Sequence, residues 1–216
     1  MKILKNTWLI IFSAMLLTSC SEEDIDALTQ RKQPPSVTYS ETTLQSDFYT
    51  AGNSAAPTID WNGDQGTLSL QDKIEGIDIN TTTGVVSWSK LLEPGTHDVV
   101  VVVSNSEGQT SINMTIINEF EGIFVGTYNS YNPYLLNFLA DGTIIVNADG
   151  TTASGTWSLQ DDGTITAYYV YDGFSLDFTL DGELIITTSS VILEGNWYDG
   201  DDTSGGPVGN YSVILE

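Results

Sequence analysis

Histidine and cysteine each occur once in the 216 residues, as His97 and Cys20, and six lysines and arginines face 29 aspartates and glutamates. Each scarcity removes a class of chemistry. A zinc site built from His and Cys ligands is excluded by count, and so is a disulfide framework within the chain. The formal net charge is −23, and with no basic patch to displace counterions from phosphates, nucleic acid is not expected as a partner. Residues 119–216 contain no lysine, arginine or histidine, so a nucleophilic triad has no nitrogen base there. His97 lies beside Asp98, but adjacent strand residues point to opposite faces, and the histidine reads as structural. No helical stripe of useful length is found beyond residue 36. The period is two and turns are frequent, which predicts an all-β protein.

What is present begins with an address. Lys2 and Lys5 precede an apolar run from Trp8 to Leu17, and Leu17-Thr18-Ser19-Cys20 follows. Ten residues rise ~15 Å as a helix, half of a ~30 Å hydrocarbon core, so residues 1–19 read as a cleaved signal. The pattern resembles the lipobox of bacterial lipoproteins, which implies lipidation of the Cys20 thiol. Several acyl chains at ~0.8 kcal/mol per buried CH₂ make such an anchor effectively permanent. Ser21, Glu22, Glu23 and Asp24 resemble the acidic export signal of Bacteroidota lipoproteins, which implies an outer-membrane protein facing the cell exterior. Past the signal, four cations (Arg31, Lys32, Lys73 and Lys90) stand against all 29 carboxylates, a formal balance of −25. Anionic lipid then offers no attraction, which leaves the lipid on Cys20 as the membrane contact. Residues 20–36, ending in Pro34-Pro35, read as an acidic tether.

Residues 37–118 offer seven candidate strands, near 37–40, 58–61, 67–71, 77–79, 85–88, 97–104 and 111–117. The signposts are Trp61-Asn-Gly, Gly76-Ile-Asp-Ile, Thr83-Gly-Val-Val-Ser-Trp88, Pro94-Gly-Thr and Asn105-Ser-Glu-Gly108. Seven strands at these intervals fit a β-sandwich. The order of turns and core positions resembles the Ig-like, or dystroglycan-type cadherin-like, domains of bacterial surface proteins. The acidic calcium motifs of cadherins have no clear counterpart here, so the resemblance implies the sandwich and not the metal.

Residues 119–216 form a second predicted domain, with 15 carboxylates and 15 aromatic residues. Asp-Gly occurs six times, at Asp141, Asp149, Asp162, Asp172, Asp181 and Asp199, and between alternating strands it is a strong hairpin signal. Phe174, Leu176, Phe178 and Leu180 alternate onto one predicted strand face. Eight or nine strands joined by short turns describe an up-and-down antiparallel meander, which closes into a barrel more readily than it stays flat. Gly-x-aromatic recurs at Gly126-Thr-Tyr128, Gly155-Thr-Trp157, Gly195-Asn-Trp197 and Gly209-Asn-Tyr211. These triplets are similar to the Gly-x-Trp strands of lipocalin-like and avidin-like barrels, where the glycine lets a strand bend and the aromatic ring plugs the barrel.

Asp199, Asp201 and Asp202, in a Gly-rich loop, supply hard oxygen ligands suited to calcium, the one cofactor considered; no other cofactor is expected. Tyr131, Tyr134, Tyr168, Tyr171 and Tyr198 are the candidate ligand-binding residues, because aromatic faces beside carboxylates and amides hold sugars. The expected function is therefore non-catalytic binding or adhesion, with carbohydrate, another surface polymer or a surface protein as partner. A lipocalin-like carrier of a small apolar molecule and a carboxylate-dependent glycoside hydrolase are the alternatives. No catalytic residue is assigned.

Overall fold

The computed structural model describes residues 32–216; the signal, Cys20 and the Ser21–Asp24 segment lie outside them. Among the described residues the chain is all-β, in seventeen strands. Nine strands come first: β1 (Ser36–Thr38), β2 (Thr43–Asp47), β3 (Gly52–Asn53), β4 (Thr58–Asp60), β5 (Thr67–Leu70), β6 (Ile77–Ile79), β7 (Val86–Trp88), β8 (Gly95–Asn105) and β9 (Gly108–Glu119). They form a four-stranded sheet in the order β2-β9-β8-β5, a three-stranded sheet β3-β7-β6, and the pair β1-β4. The valine run fills their common core because period two puts Val99, Val101 and Val103 on one face, each no more than 1% exposed. They pack with Val86, Trp88, Met114 and Ile116. The Asn105-Ser-Glu-Gly108 signpost is the β8–β9 turn, where the Asn105 side-chain oxygen accepts hydrogen bonds from the Glu107 and Gly108 amides.

Two strands here exceed the seven expected, and β2 is the instructive one. It runs parallel to β9, and its inward positions are Leu44 and Ser46. A buried serine breaks the alternation that would mark a strand. Ser46 is inside because its hydroxyl accepts the Trp88 indole N–H at 2.7 Å.

The remaining eight strands are β10 (Gly122–Tyr128), β11 (Asn132–Phe138), β12 (Thr143–Ala148), β13 (Thr151–Leu159), β14 (Thr164–Tyr171), β15 (Asp177–Ile186), β16 (Val191–Asp199) and β17 (Gly209–Leu215). Each pairs antiparallel with the next, and β10 pairs with β17 to close an eight-stranded barrel. Apolar residues fill the interior, whereas Asp181, Glu183 and Glu194 face outward, the reverse of a membrane-spanning barrel. One apolar row (Ile185, Ile192, Ile214, Val125 and Leu135) crosses the outer wall in ladder register.

Five of the six Asp-Gly pairs lie at turns or strand ends, with the glycine at positive φ. The exception is Asp181-Gly182, in the middle of β15. The Tyr211 hydroxyl lies where a Gly182 Cβ would stand, and it donates to the Asp181 carbonyl oxygen at 2.9 Å. Asp-Gly at this position serves ring packing rather than a turn. The alternating stretch from Phe174 is also shorter than expected. Phe174 and Leu176 are 60% and 55% exposed in the β14–β15 connection, and only Phe178 and Leu180 enter the strand.

The two regions meet at one end of the barrel. Only Phe120 and Glu121 separate β9 from β10, and Phe120 and Phe48 belong to the barrel core. The Phe120 ring lies 5.0 Å from Phe48, 5.0 Å from Phe138 and 5.1 Å from Trp157, closing that end with aromatic rings. Across the same junction the Tyr49 hydroxyl donates to the Thr187 carbonyl at 2.9 Å.

Candidate ligand-binding site

The opposite end of the barrel is hollow. Inward positions near the ends of β10, β11, β14, β15 and β16 hold Tyr128, Tyr134, Tyr169, Tyr171, Phe178 and Trp197, which with Ala148 of β12 line a cavity of about 160 Å³. Adjacent centroids run 5.4 Å from Tyr134 to Tyr128, 6.4 Å to Trp197, 5.6 Å to Phe178 and 6.0 Å to Tyr169. The Tyr169 hydroxyl, 2.8 Å from that of Tyr134, closes the circuit through a hydrogen bond. Tyr171 packs edge-on against both Tyr169 and Phe178. Most of these contacts are edge-to-face, the arrangement that aromatic quadrupoles favour.

The Gly-x-aromatic triplets explain how the rings point inward. A Cβ on Gly195 would overlap the Asp181 carbonyl of the neighbouring strand, so glycine permits the close approach that bends the wall. Trp197, two residues on, then falls on the inner face. Its indole N–H donates to the Asn129 side-chain oxygen at 3.2 Å, which fixes the ring at the mouth. Ala148 leaves the space that a larger inward residue would fill.

The floor of the cup is polar but satisfied and neutral. Burial, then the neighbouring Tyr169, pushes the Tyr134 hydroxyl well above the usual tyrosine range. Burial raises Tyr169 and Tyr211 as well. Higher in the cup, the Tyr128 and Tyr171 hydroxyls make no side-chain hydrogen bond to another described residue. Around the mouth, Tyr131, Phe174, Leu176 and Val208 sit on the connecting turns and are 50–77% exposed.

Of the five tyrosines singled out by sequence, Tyr134 and Tyr171 line this cup and Tyr131 stands on its rim. Tyr134 is 4% exposed and faces inward, not outward on a turn. Tyr168 and Tyr198 face the other way, in one outer row with Thr179 between them. Tyr168 donates to Asp177 at 3.3 Å and Tyr198 to Asp181 at 2.8 Å. Tyr128, Tyr169, Phe178 and Trp197 complete the cup, and their signal was the Gly-x-aromatic spacing together with strand alternation.

Asp199, Asp201 and Asp202 are not drawn together into one ligand cluster. Among the described residues no three His, Cys, Asp or Glu side chains are grouped to hold a metal ion. Asp202 accepts hydrogen bonds from the Ser204 amide and hydroxyl at 2.8 and 2.7 Å, which draws its carboxyl below the usual range. Asp199 ends β16 directly opposite Phe178 on the ladder. His97 donates from Nε2 to the Glu93 carbonyl at 2.9 Å, while Asp98 accepts from the Thr115 hydroxyl at 3.2 Å, so the two neighbours are not paired.

A larger groove of about 600 Å³ runs along the outer wall past Asp181, Glu183 and Glu194. It is an open furrow, without the ring enclosure of the cup. Compared with known proteins, the sequence matches no family model and no curated protein.

Proposed function

We propose that this chain is a non-catalytic binding lipoprotein, anchored in the outer membrane through Cys20, facing the cell exterior and holding its ligand in the aromatic cup. The ligand is a glycan, or another surface polymer, that inserts one compact end group. The observation that carries the reading is the closed circuit of rings around a cavity open to solvent, because such a surface stacks on a ring or encloses a small apolar-faced group. The cavity volume compares with the ~150 Å³ of an engineered apolar cavity that takes benzene. It falls below the ~300–1,000 Å³ typical of pockets for larger molecules. Phe124, Leu136, Phe138, Ile144, Ile165, Leu180 and Leu193 fill the rest of the interior at 1% exposure or less. That packing weighs against a lipocalin-like carrier. The cup contains no nitrogen base and no pair of carboxylates, which supports binding over hydrolysis.

Residues 37–118 are, in this reading, an Ig-like or cadherin-like sandwich that serves as a spacer. Gln33 is held at the β8–β9 turn by Asn105. The twelve residues of β9 then lead to the barrel, about 40 Å at ~3.3 Å per residue. The cup opens at the barrel end beyond that.

A panel of glycans and ring-sized compounds titrated against the intact protein, read by isothermal titration calorimetry, tests the proposal. Ala148→Leu fills the cavity and Trp197→Ala opens its wall; each should abolish the response of any binder. A denaturation midpoint retained by either variant keeps the loss from being ascribed to unfolding. Binding that survives both substitutions would place the ligand elsewhere and end the proposal.

A further inference from the structure

Resting on the cup as the binding site, we propose that the end group it holds is an organic cation, an alkylated ammonium such as trimethylammonium. Three observations converge on that chemistry. Six aromatic side chains surround one cavity, and the ring quadrupole attracts a cation held within about 6 Å of a ring centroid, most strongly when the cation is desolvated.

The second observation concerns hydrogen bonding. Tyr134 and Tyr169 satisfy each other at the floor, leaving Tyr128 and Tyr171 as the hydroxyls free to reach a ligand. A group bearing several hydroxyls would lose water without recovering partners. An alkylated ammonium carries its charge with little or no demand for hydrogen bonds.

The third is charge. Residues 119–216 contain no cation and 15 carboxylates. Asp199 shares the ladder position of Phe178 and lies two residues beyond Trp197, so it falls on the same sheet face, exposed at the mouth. Asp149 and Asp172 stand in the turns of the same end. An anion is repelled by this rim, a neutral group is indifferent to it, and a cation is drawn in.

The test compares choline with 3,3-dimethylbutan-1-ol, its neutral isostere with carbon in place of the charged nitrogen, in calorimetric titrations of the intact protein. Choline should bind at least about tenfold more tightly than the isostere, the difference that cation–π and rim attraction supply. Asp199→Asn should weaken choline severalfold and leave the isostere unchanged, and added salt should do the same. Equal affinity for both compounds overturns the cation and leaves the cup as a binding site. A response to monosaccharides but not to choline does likewise. Silence towards choline, the isostere and the glycan panel alike overturns the cation and the proposed function together.

Discussion

Replacing Phe120 by alanine removes the ring that joins the two halves of the protein. The ring is 3% exposed and meets four others, with Phe124 at 5.7 Å completing the set of Phe48, Phe138 and Trp157. Truncating a buried phenylalanine costs ~3–5 kcal/mol when the void cannot collapse. Rings that pack edge-to-face add ~0.5–1.5 kcal/mol per pair beyond area burial. Two strand ends fix the surrounding rings and oppose collapse, so the upper part of the range, ~4–5 kcal/mol, is expected. For a chain of this size each kcal/mol moves the melting temperature by ~2–4 °C, giving a fall of about 8–20 °C. Urea denaturation followed by far-UV circular dichroism and tryptophan fluorescence measures the loss. The parent should unfold in one transition by both probes, since the rings belong to both regions. Phe174→Ala, on a side chain 60% exposed, is the control and should stay within ~0.5 kcal/mol. A cost below ~1 kcal/mol for Phe120→Ala would refute the reasoning, because the junction would then be a loose contact between independent parts.

Tyr134→Phe leaves the buried Tyr169 hydroxyl without its partner and should cost ~1–3 kcal/mol, whereas Tyr134→Phe with Tyr169→Phe recovers much of that loss; a double variant no better than the single one counts against the hydrogen bond. Burial raises Tyr134, Tyr169 and Tyr211 above the ~10 of an unfolded tyrosine and Tyr39 to about 12. The folded state therefore favours the neutral phenols: their contribution is complete below pH ~10 and is lost as pH rises towards and past 12. The urea midpoint should hold between pH 7 and 9 and drop at pH 11, and a flat profile would count against the buried assignment. Gly195→Ala forces a Cβ into the Asp181 carbonyl and should cost ~1–3 kcal/mol or more by overpacking. Gly205→Ala meets nothing within 4 Å and should be neutral by the same denaturation assay.

Much of the barrel was legible because its inner face obeys period two and most of its turns carry Asp-Gly. Two of the departures have one cause, that side chains serve distant partners. Asp181-Gly182 reads as a turn from its neighbours alone, yet the glycine makes room for Tyr211, about 30 residues away in sequence. Ser46 hides a strand because its partner, Trp88, is 42 residues distant. The cup was half legible. Alternation separates Tyr169 and Tyr171 from Tyr168, and Gly-x-aromatic spacing marks Tyr128 and Trp197 as inward. Which inward rings pack solidly and which enclose space depends on the barrel end they reach, a matter of register between strands. Tyr134 illustrates this: it lies two residues into its strand, and its ladder position opposite Ala148 places it inside the cup.

The contrast between the two barrel ends also argues that the hollow is built and not left over. At the junction end, Phe48 and Phe120 enter from outside the barrel strands to fill the space between Phe124, Phe138 and Trp157. At the other end the inward residue of β12 is Ala148, and Tyr131, Phe174, Leu176 and Val208 stay exposed on the surrounding turns without filling the cavity. A dry void of about 160 Å³ would cost roughly 4 kcal/mol at ~24 cal/mol per Å³, and opening it to water lowers that cost at the expense of wetting six rings. One alanine-to-leucine change would relieve it. The rings are instead held in place by satisfied groups, Trp197 by Asn129 and Tyr134 by Tyr169, which limits collapse and keeps the walls apart for an incoming group. Preorganisation of that kind lowers the ordering cost of binding. It is the property that the proposed binding site requires.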